Sequence, residues 1–489
     1  MLRPWKVVLD DRIDPKRATP IYLQIVRALI HEVERGRLPS GTFLPSSREL
    51  AGLLGVNRKT VVLAYEDLIA QGWLTSSGTR GTMVSDSLPD RRAKLPAALR
   101  LSEADLQTPA YRFHAPPEHP LALVAGSGVK LDEGSPDGRL FPADTLARAY
   151  RSAVRRTTRD NRLLYRDPRG VPGLRSGIAE MLKAERGLAV SAENICITRG
   201  SQNAIFIAAR TLVSPGDAVL MESLTYEPAI AAFRACGAKI VSVGLDEQGI
   251  DVEDVERQCR AYRVRAIFLT PHHQFPTTVA LRPERRLRLL ELARQFDFAI
   301  IEDDYDHEFH FDSQPLLPMA SYAPARVIYV GSLSKLLLPA LRIGYIAAPT
   351  AFIDAAAHSI SLVDGMGNTL TEEAVAELIA EGEVRRHARK VTQVYAARRA
   401  AFADSLRRTL GDIVDFRVPD GGLAFWLRFP DIAHLDRIEE RAPALGVHFA
   451  RSQSFATHEG AARGLRLGFA SLSAAEAGAA LEKLAAATR

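Results

Sequence analysis

The chain has 489 residues, 47% hydrophobic and 25% charged, too long for one ordinary core and typical of a soluble protein with two or more domains. No apolar run reaches the ~18 residues of a membrane span, and the acidic, interrupted start MLRPWKVVLDDRID argues against a signal peptide. Cys196, Cys236 and Cys259 are widely spaced, offer neither a disulfide framework nor a zinc site, and fit a reducing cytoplasm. The net charge of +5 is unevenly placed: residues 1–85 hold 12 Lys/Arg against 8 Asp/Glu, residues 86–115 five against four, and the rest balance. That asymmetry is consistent with a nucleic-acid-binding head on a neutral body.

In chain order, IYLQIVRALIHEVER puts Ile21, Ile25, Leu29 and Val33 on one helical face. SSRELAGLLG predicts a short helix capped by Ser46 or Ser47, with Glu49 at capping-box spacing and Gly55 ending it. Asn57 then caps NRKTVVLAYEDLIAQG, where Val61, Tyr65, Leu68 and Ile69 are expected inside. Two short helices joined at LGVN form a helix-turn-helix pattern, and the start of the second is what reaches base edges in a major groove. WLTSSGTRGTMVS reads as a hairpin wing carrying Arg80 toward a phosphate or the minor groove. Residues 18–85, through LPSSRELAGLLGVNRKTVVLAYEDLIAQGWL and SGTRGTMV, resemble the GntR-type winged helix. The resemblance implies binding to double-stranded operator DNA by a domain spanning 15–85. Ser47, Arg48, Arg58, Lys59, Thr60, Tyr65 and Arg80 are its expected contacts, Arg58 and Thr60 reading bases, Arg48 and Arg80 holding phosphates.

Residues 86–125 are rich in Pro, Ala and charge and read as a semi-extended tether. From 126 to 489, short apolar runs alternate with amphipathic helical stretches such as PERRLRLLELARQF. The runs are AVLME, KIVSV, AIFLT, FAIIEDD, VIYVGS and IGYIAAP. Such alternation predicts an α/β domain with a mostly parallel sheet and its ligand at the strands' carboxyl ends. A smaller α+β lobe is expected from about residue 385.

Three stretches of the body carry chemistry. In ICITRGSQNAIF a strand ends at Thr198 and a Gly-Ser turn opens a helix whose free N–H groups suit a phosphate, though such turns often bind nothing. FAIIEDDYDHEF runs an apolar strand into Glu302, Asp303 and Asp304. Those acids can face solvent, ligate a metal or hold a proton on a pyridine nitrogen; a cation held by Asp303, Asp304 and Asp306 would need further oxygen ligands, and none stands at useful spacing. GSLSKLLLPALRIGY sets Lys335 in apolar surroundings that lower an ammonium pKa and leave the amine nucleophilic. Asp303, the Gly-Ser turn, Lys335 and Arg342 together point to pyridoxal 5'-phosphate bound as a Schiff base. Asp303 is then the ring-nitrogen partner, Tyr226 the ring cover, and Ser201, Gln202, Ser332 and Arg342 the phosphate ligands, with Ser334 beside them.

Residues 126–489 resemble a fold-type I aminotransferase, and with the head the chain is similar to the MocR/GabR group of regulators. The motifs are LYRDPRGVPGLRSGIAEML, ITRGSQNAIFIAARTLVSPGD, TPHHQFPTT, IIEDDYDHEF, GSLSKLLLPALRIGY and GLRLGFA. The resemblance implies a hydrogen bond from Tyr305 to the cofactor 3-hydroxyl and a homodimer in which Tyr165 reaches a neighbour's phosphate. It also implies an effector carboxylate on Arg466. TPHHQFPTT lacks the aminotransferase Asn-Pro-Thr-Gly, leaving His273 or Gln274 to replace the asparagine, and Pro228 stands where GABA-sensing relatives carry arginine. The expected function is a cytoplasmic regulator that senses a small amino compound by exchange at Lys335; the alternatives are a working aminotransferase with a DNA-binding head, or a body that only dimerises.

Overall fold

The computed structural model describes residues 13–15, 17–89, 111–112, 128–312 and 316–489. The chain divides into two compact units, residues 1–115 and 116–489. Most of the expected tether at 86–125 lies outside the described residues.

In the first unit, α1 (Ile21–Glu34), α2 (Ser47–Leu54) and α3 (Arg58–Ala70) precede a hairpin of β1 (Leu74–Ser76) and β2 (Thr82–Val84), paired antiparallel from Leu74↔Val84 to Ser76↔Thr82. Helix ends follow local chemistry. Ser46 and Glu49 form a reciprocal capping box, Gly55 closes α2 in the left-handed region, and Asn57 caps α3 by accepting from the Lys59 N–H. Ile25, Leu29, Val33, Val61 and Leu68 fill the core. Ile69 departs from expectation: at 36% exposure it lies on the rim of α3, about 100° around the helix from the buried Leu68.

The second unit is built on a seven-stranded sheet. Its strands are β3 (Ile195–Thr198), β4 (Ala218–Glu222), β5 (Lys239–Val243), β6 (Val264–Leu269), β7 (Ala299–Asp304), β8 (Val327–Ser332) and β9 (Gly344–Ala347). Their spatial order is β3-β9-β8-β7-β6-β4-β5. Strands β4 to β8 run parallel, whereas β9 is antiparallel to both β8 and β3. Both faces are covered, so the strands read as continuous apolar runs while their side chains still alternate. Val219, Met221, Phe268, Ile301 and Val330 pack with α5 (Ser201–Leu212). Leu220, Ile267, Ile300 and Tyr329 pack on the opposite face with α4 (Pro172–Arg186) and α6 (Pro283–Phe296).

The smaller α+β lobe joins α7 (Glu383–Leu410) and α8 (Ala474–Ala487) to the antiparallel strands β10 (Asp415–Phe416), β11 (Ala424–Arg428) and β12 (Gly464–Gly468). Phe402, Leu406, Phe425, Leu467, Leu481 and Leu484 form its core.

Candidate functional site

Alternation along β7 sends its three terminal acids to different tasks. Glu302 accepts the backbone N–H groups of Met319 and Ala320, both at 2.9 Å, and so caps a short helix. Asp303 turns to the α5 side and Asp304 to the other face, where the Tyr329 hydroxyl donates to it. The solvated reading of these carboxylates does not hold, because all three are buried.

Asp303 opens onto a cleft lined by Glu133, Ser201, Tyr226, Thr270, Phe275, Asp303, Tyr305 and Lys335. Burial pushes the Asp303 carboxyl up to about 8, Asp304 and Asp306 adding to the effect and Lys335 opposing it. Burial lowers the Lys335 ammonium, against the pull of Asp132 and Glu133. The Tyr226 and Tyr305 phenols are raised, chiefly by burial. The residues fit a pyridinium ring: Asp303 Oδ1 is buried without a hydrogen-bond partner, as a carboxylate awaiting an N–H donor must be.

At the other end, α5 starts at Gly200, whose φ of +82° is a glycine conformation. A Cβ there would meet the Arg342 guanidinium at 3.0 Å, and one on Gly344 would meet Gly200 at 2.5 Å. Arg342 itself sits at φ +51° and donates to the Arg199 carbonyl at 2.8 Å. Ser201 lines the cleft from the first turn of α5. Ser332 Oγ accepts the Ser334 N–H at 3.1 Å, and Ser334 Oγ is buried without a partner. Gln202 opens instead onto a neighbouring groove shared with Pro228 and Arg342.

Arg466 on β12 is 1% exposed and reaches this site from the smaller lobe. It donates to the carbonyls of Glu133 (3.0 Å) and Pro276 (2.8 Å) and to the Tyr305 hydroxyl (3.3 Å), and it lies 4.5 Å from the Phe275 ring centre. Its bonded partners are neutral oxygens, so a surface ion pair does not explain the residue.

His273 and Gln274 do not line the cleft. His273 Nδ1 meets Asp306 at 2.7 Å. The Gln274 amide donates to Glu222 and the Leu224 and Phe275 carbonyls while its oxygen accepts from Thr277, so its capacity is filled. Both are engaged away from the cleft, which Thr270 of the same motif and Tyr305 line, the Tyr305 hydroxyl donating to the His273 carbonyl at 2.9 Å. Tyr165 is 92% exposed. Sequence reasoning passed over Glu133, Thr270 and Phe275. Glu133 stands 202 residues before Lys335 in no recognisable motif, and only folding joins them.

On the head, Arg48, Arg58, Lys59 and Arg80 are exposed and Thr60 is half-buried, so α2, the start of α3 and the wing together present three arginines and a lysine to solvent. Arg58 Nε donates to Ser47 Oγ at 3.4 Å, tying α2 to α3. Tyr65 is a correction: it is buried, and its hydroxyl donates to the Pro45 carbonyl at 2.8 Å. A phenol held there packs helices together and does not reach DNA.

A winged helix joined to a lysine-bearing α/β body defines a DNA-binding regulator built on a pyridoxal-phosphate enzyme fold. Residues 127–485 match the family "Aminotransferase class I and II", and residues 21–84 match "Bacterial regulatory proteins, gntR family". The chain is 32% identical over 467 residues to the probable rhizopine catabolism regulatory protein MocR of Rhizobium meliloti, covering 95% of this chain and 92% of that one. It is 30% identical over 417 residues to the pyridoxine biosynthesis regulator PdxR of Corynebacterium glutamicum, covering 85% and 84%. The multiple substrate aminotransferase of Thermococcus profundus superposes with a TM-score of 0.69 at 27% identity, over 74% of this chain and 91% of that one. The chain belongs to the MocR-type transcriptional regulators, in which a GntR-type winged helix is fused to an aminotransferase class I/II domain of a pyridoxal-phosphate-dependent family.

Proposed function

We propose that the body holds pyridoxal 5'-phosphate and reads a small amino compound through it, altering the head's grip on operator DNA. The observation that carries this reading is the buried, unpartnered Asp303 oxygen in the same cleft as Lys335. When bound, the cofactor supplies an electrophilic carbon at which one amine replaces another. Lys335 provides the resident amine, and its lowered pKa keeps a fraction of it nucleophilic. Asp303 holds the proton at the ring nitrogen, Tyr226 covers the ring, and the Tyr305 hydroxyl forms a hydrogen bond with the 3-hydroxyl. Ser201, Ser332, Ser334 and Arg342 serve the phosphate, Gln202 from the groove it shares with Arg342, with Tyr165 of a second copy completing the set in a homodimer. Arg466, bonded only to neutral oxygens, takes the effector's carboxylate. Pro228 adds no charge, which disfavours GABA as effector.

The head binds duplex DNA through Arg58 and Thr60 at bases and Arg48, Lys59 and Arg80 at phosphates, and the 86–125 tether links it to the body at 126–489. The body couples to the head only as far as the effector binds two arrangements unequally. Among the described residues no helix is long and apolar enough to cross a membrane, consistent with work in the cytoplasm. The test is a titration of cofactor-loaded full chain with a panel of amines, following the visible cofactor band and operator affinity together. The reading requires one amine to move both; amines that alter the band without touching DNA affinity would end it.

The intact Lys335–Asp303–Arg466 set also favours a second reading, an aminotransferase that carries a DNA-binding head. Sustained turnover with an amino donor and a keto acid supports that reading, whereas slow single half-reactions support the regulator.

A further inference from the structure

On the face of β7 opposite the cofactor cleft, folding gathers three ligand atoms that the sequence keeps apart. His272, Asp304 and His307 each offer one ligand atom, a ring nitrogen or a carboxylate oxygen, and these lie within 4.8 Å of one another. His272 Nδ1 is 3.3 Å from Asp304 Oδ1, and His307 Nδ1 is 3.0 Å from Asp304 Oδ2. The residues are 4%, 2% and 6% exposed. Despite these distances, His272 Nδ1, Asp304 Oδ1 and His307 Nδ1 each lack an aligned hydrogen bond. Protonated, the two histidines pair with Asp304 as ions; as neutral rings they leave three polar atoms in one dry pocket without a joining hydrogen, a cost that a bound cation removes.

The tautomer of His272 sharpens the problem. Its Nε2 faces the Leu316 carbonyl, which only accepts, so Nε2 carries the hydrogen. In the neutral ring, Nδ1 then aims a lone pair at a carboxylate. A cation between them removes that repulsion. We propose that His272, Asp304 and His307 bind one divalent transition-metal ion of the zinc class. Two imidazoles and a carboxylate are the donors such an ion takes, and ligand bonds near 2.0–2.1 Å give tetrahedral edges of about 3.3 Å, near the 3.3 and 3.0 Å by which the two nitrogens stand from the two Asp304 oxygens. The fourth position is left to water, with the buried, unpartnered His310 Nε2 close by: the His310 ring centre is 5.7 Å from that of His307.

The surrounding shell suits the assignment. The Leu316 carbonyl fixes the His272 tautomer, and the Tyr329 hydroxyl, itself held by Arg186, steadies Asp304. Asp303 is the next residue on β7, so an ion here braces the strand end that carries the cofactor's acid. The imidazoles arrive from the β6 loop and from beyond β7, whereas the cation weighed from the sequence, on Asp303, Asp304 and Asp306, called for oxygen ligands.

Tag-free full chain, stripped with chelator and exchanged into Co²⁺, should bind about one equivalent with visible ligand-field bands, and Zn²⁺ should displace it and raise the unfolding temperature. The His272→Gln/His307→Gln double variant should lose at least nine-tenths of the bound metal while still unfolding cooperatively. Zinc-edge X-ray absorption on the wild-type chain gives an arm independent of any variant, and it should show two imidazoles and no sulfur. Wild-type protein that takes up less than a tenth of an equivalent overturns the site and leaves an imidazolium–carboxylate network. Equal uptake by wild type and double variant, or sulfur or no imidazole at the zinc edge, overturns the ligand assignment.

Discussion

Asp303 and Glu222 are both strand-end acids whose carboxyls burial pushes up to about 8, yet they serve different ends. Asp303 gains a partner when a pyridinium arrives, so Asp303→Asn should weaken cofactor retention by at least about tenfold, or about 1.4 kcal/mol, in a spectrophotometric titration. Glu222 lies under Gln274, which donates to it at 3.1 Å. Its folded pKa stands above its unfolded value, so the native state binds the extra proton. The stability it contributes is fully present at low pH and is lost as pH rises through about 8. Glu222→Gln removes that dependence. In thermal melts of the cofactor-free chain, the wild type should lose at least about 2 °C relative to the variant between pH 5 and pH 9. A constant gap across that range would show that Glu222 is ionised in the folded state.

Among the elements, those of the head rest on local chemistry. The Ser46–Glu49 capping box, the αL glycine at 55 and the Asn57 cap are all short-range patterns, and the helices begin and end where they dictate. The surface they build gives a two-part prediction. Arg58→Ala should cost about 1–3 kcal/mol of operator affinity and relax sequence preference at its base. Arg80→Ala should weaken all duplexes alike and reduce the salt slope by about one, measured by binding across a salt series. Cofactor loading should not change in either variant. In the body, the runs AVLME and VIYVGS coincide with β4 and β8, whose residues are buried throughout, while KIVSV coincides with the edge strand β5, where Lys239 is exposed. The antiparallel entry of β9 had no such signature, since a buried strand reads the same in either direction.

For the whole molecule, Leu163, Leu164 and Tyr165, at 50%, 66% and 92% exposure, make a run of three adjacent exposed large side chains among the described residues. A second copy is the proposed cover, with Tyr165 completing the neighbour's phosphate site. Leu164→Glu should weaken self-association by at least about tenfold in sedimentation velocity and lower cofactor affinity with it. Weakened association with unchanged cofactor binding would remove Tyr165 from that role.

By itself the sequence determined what is local: helix caps, buried strands, the wing, and the acid, turn and lysine of the proposed cofactor site. Those signals survive because each depends on residues within a few positions of one another, or on motifs whose order along the chain follows the order of strands. Tertiary structure alone decided which neighbour a side chain meets. It withdrew Tyr65 from the DNA surface and His273 and Gln274 from the cleft, brought Glu133 and Arg466 from distant segments to Lys335, and divided Asp303 from Asp304 across the sheet. Such outcomes depend on packing and on the need to satisfy buried polar atoms, and neither can be read until the chain has closed on itself.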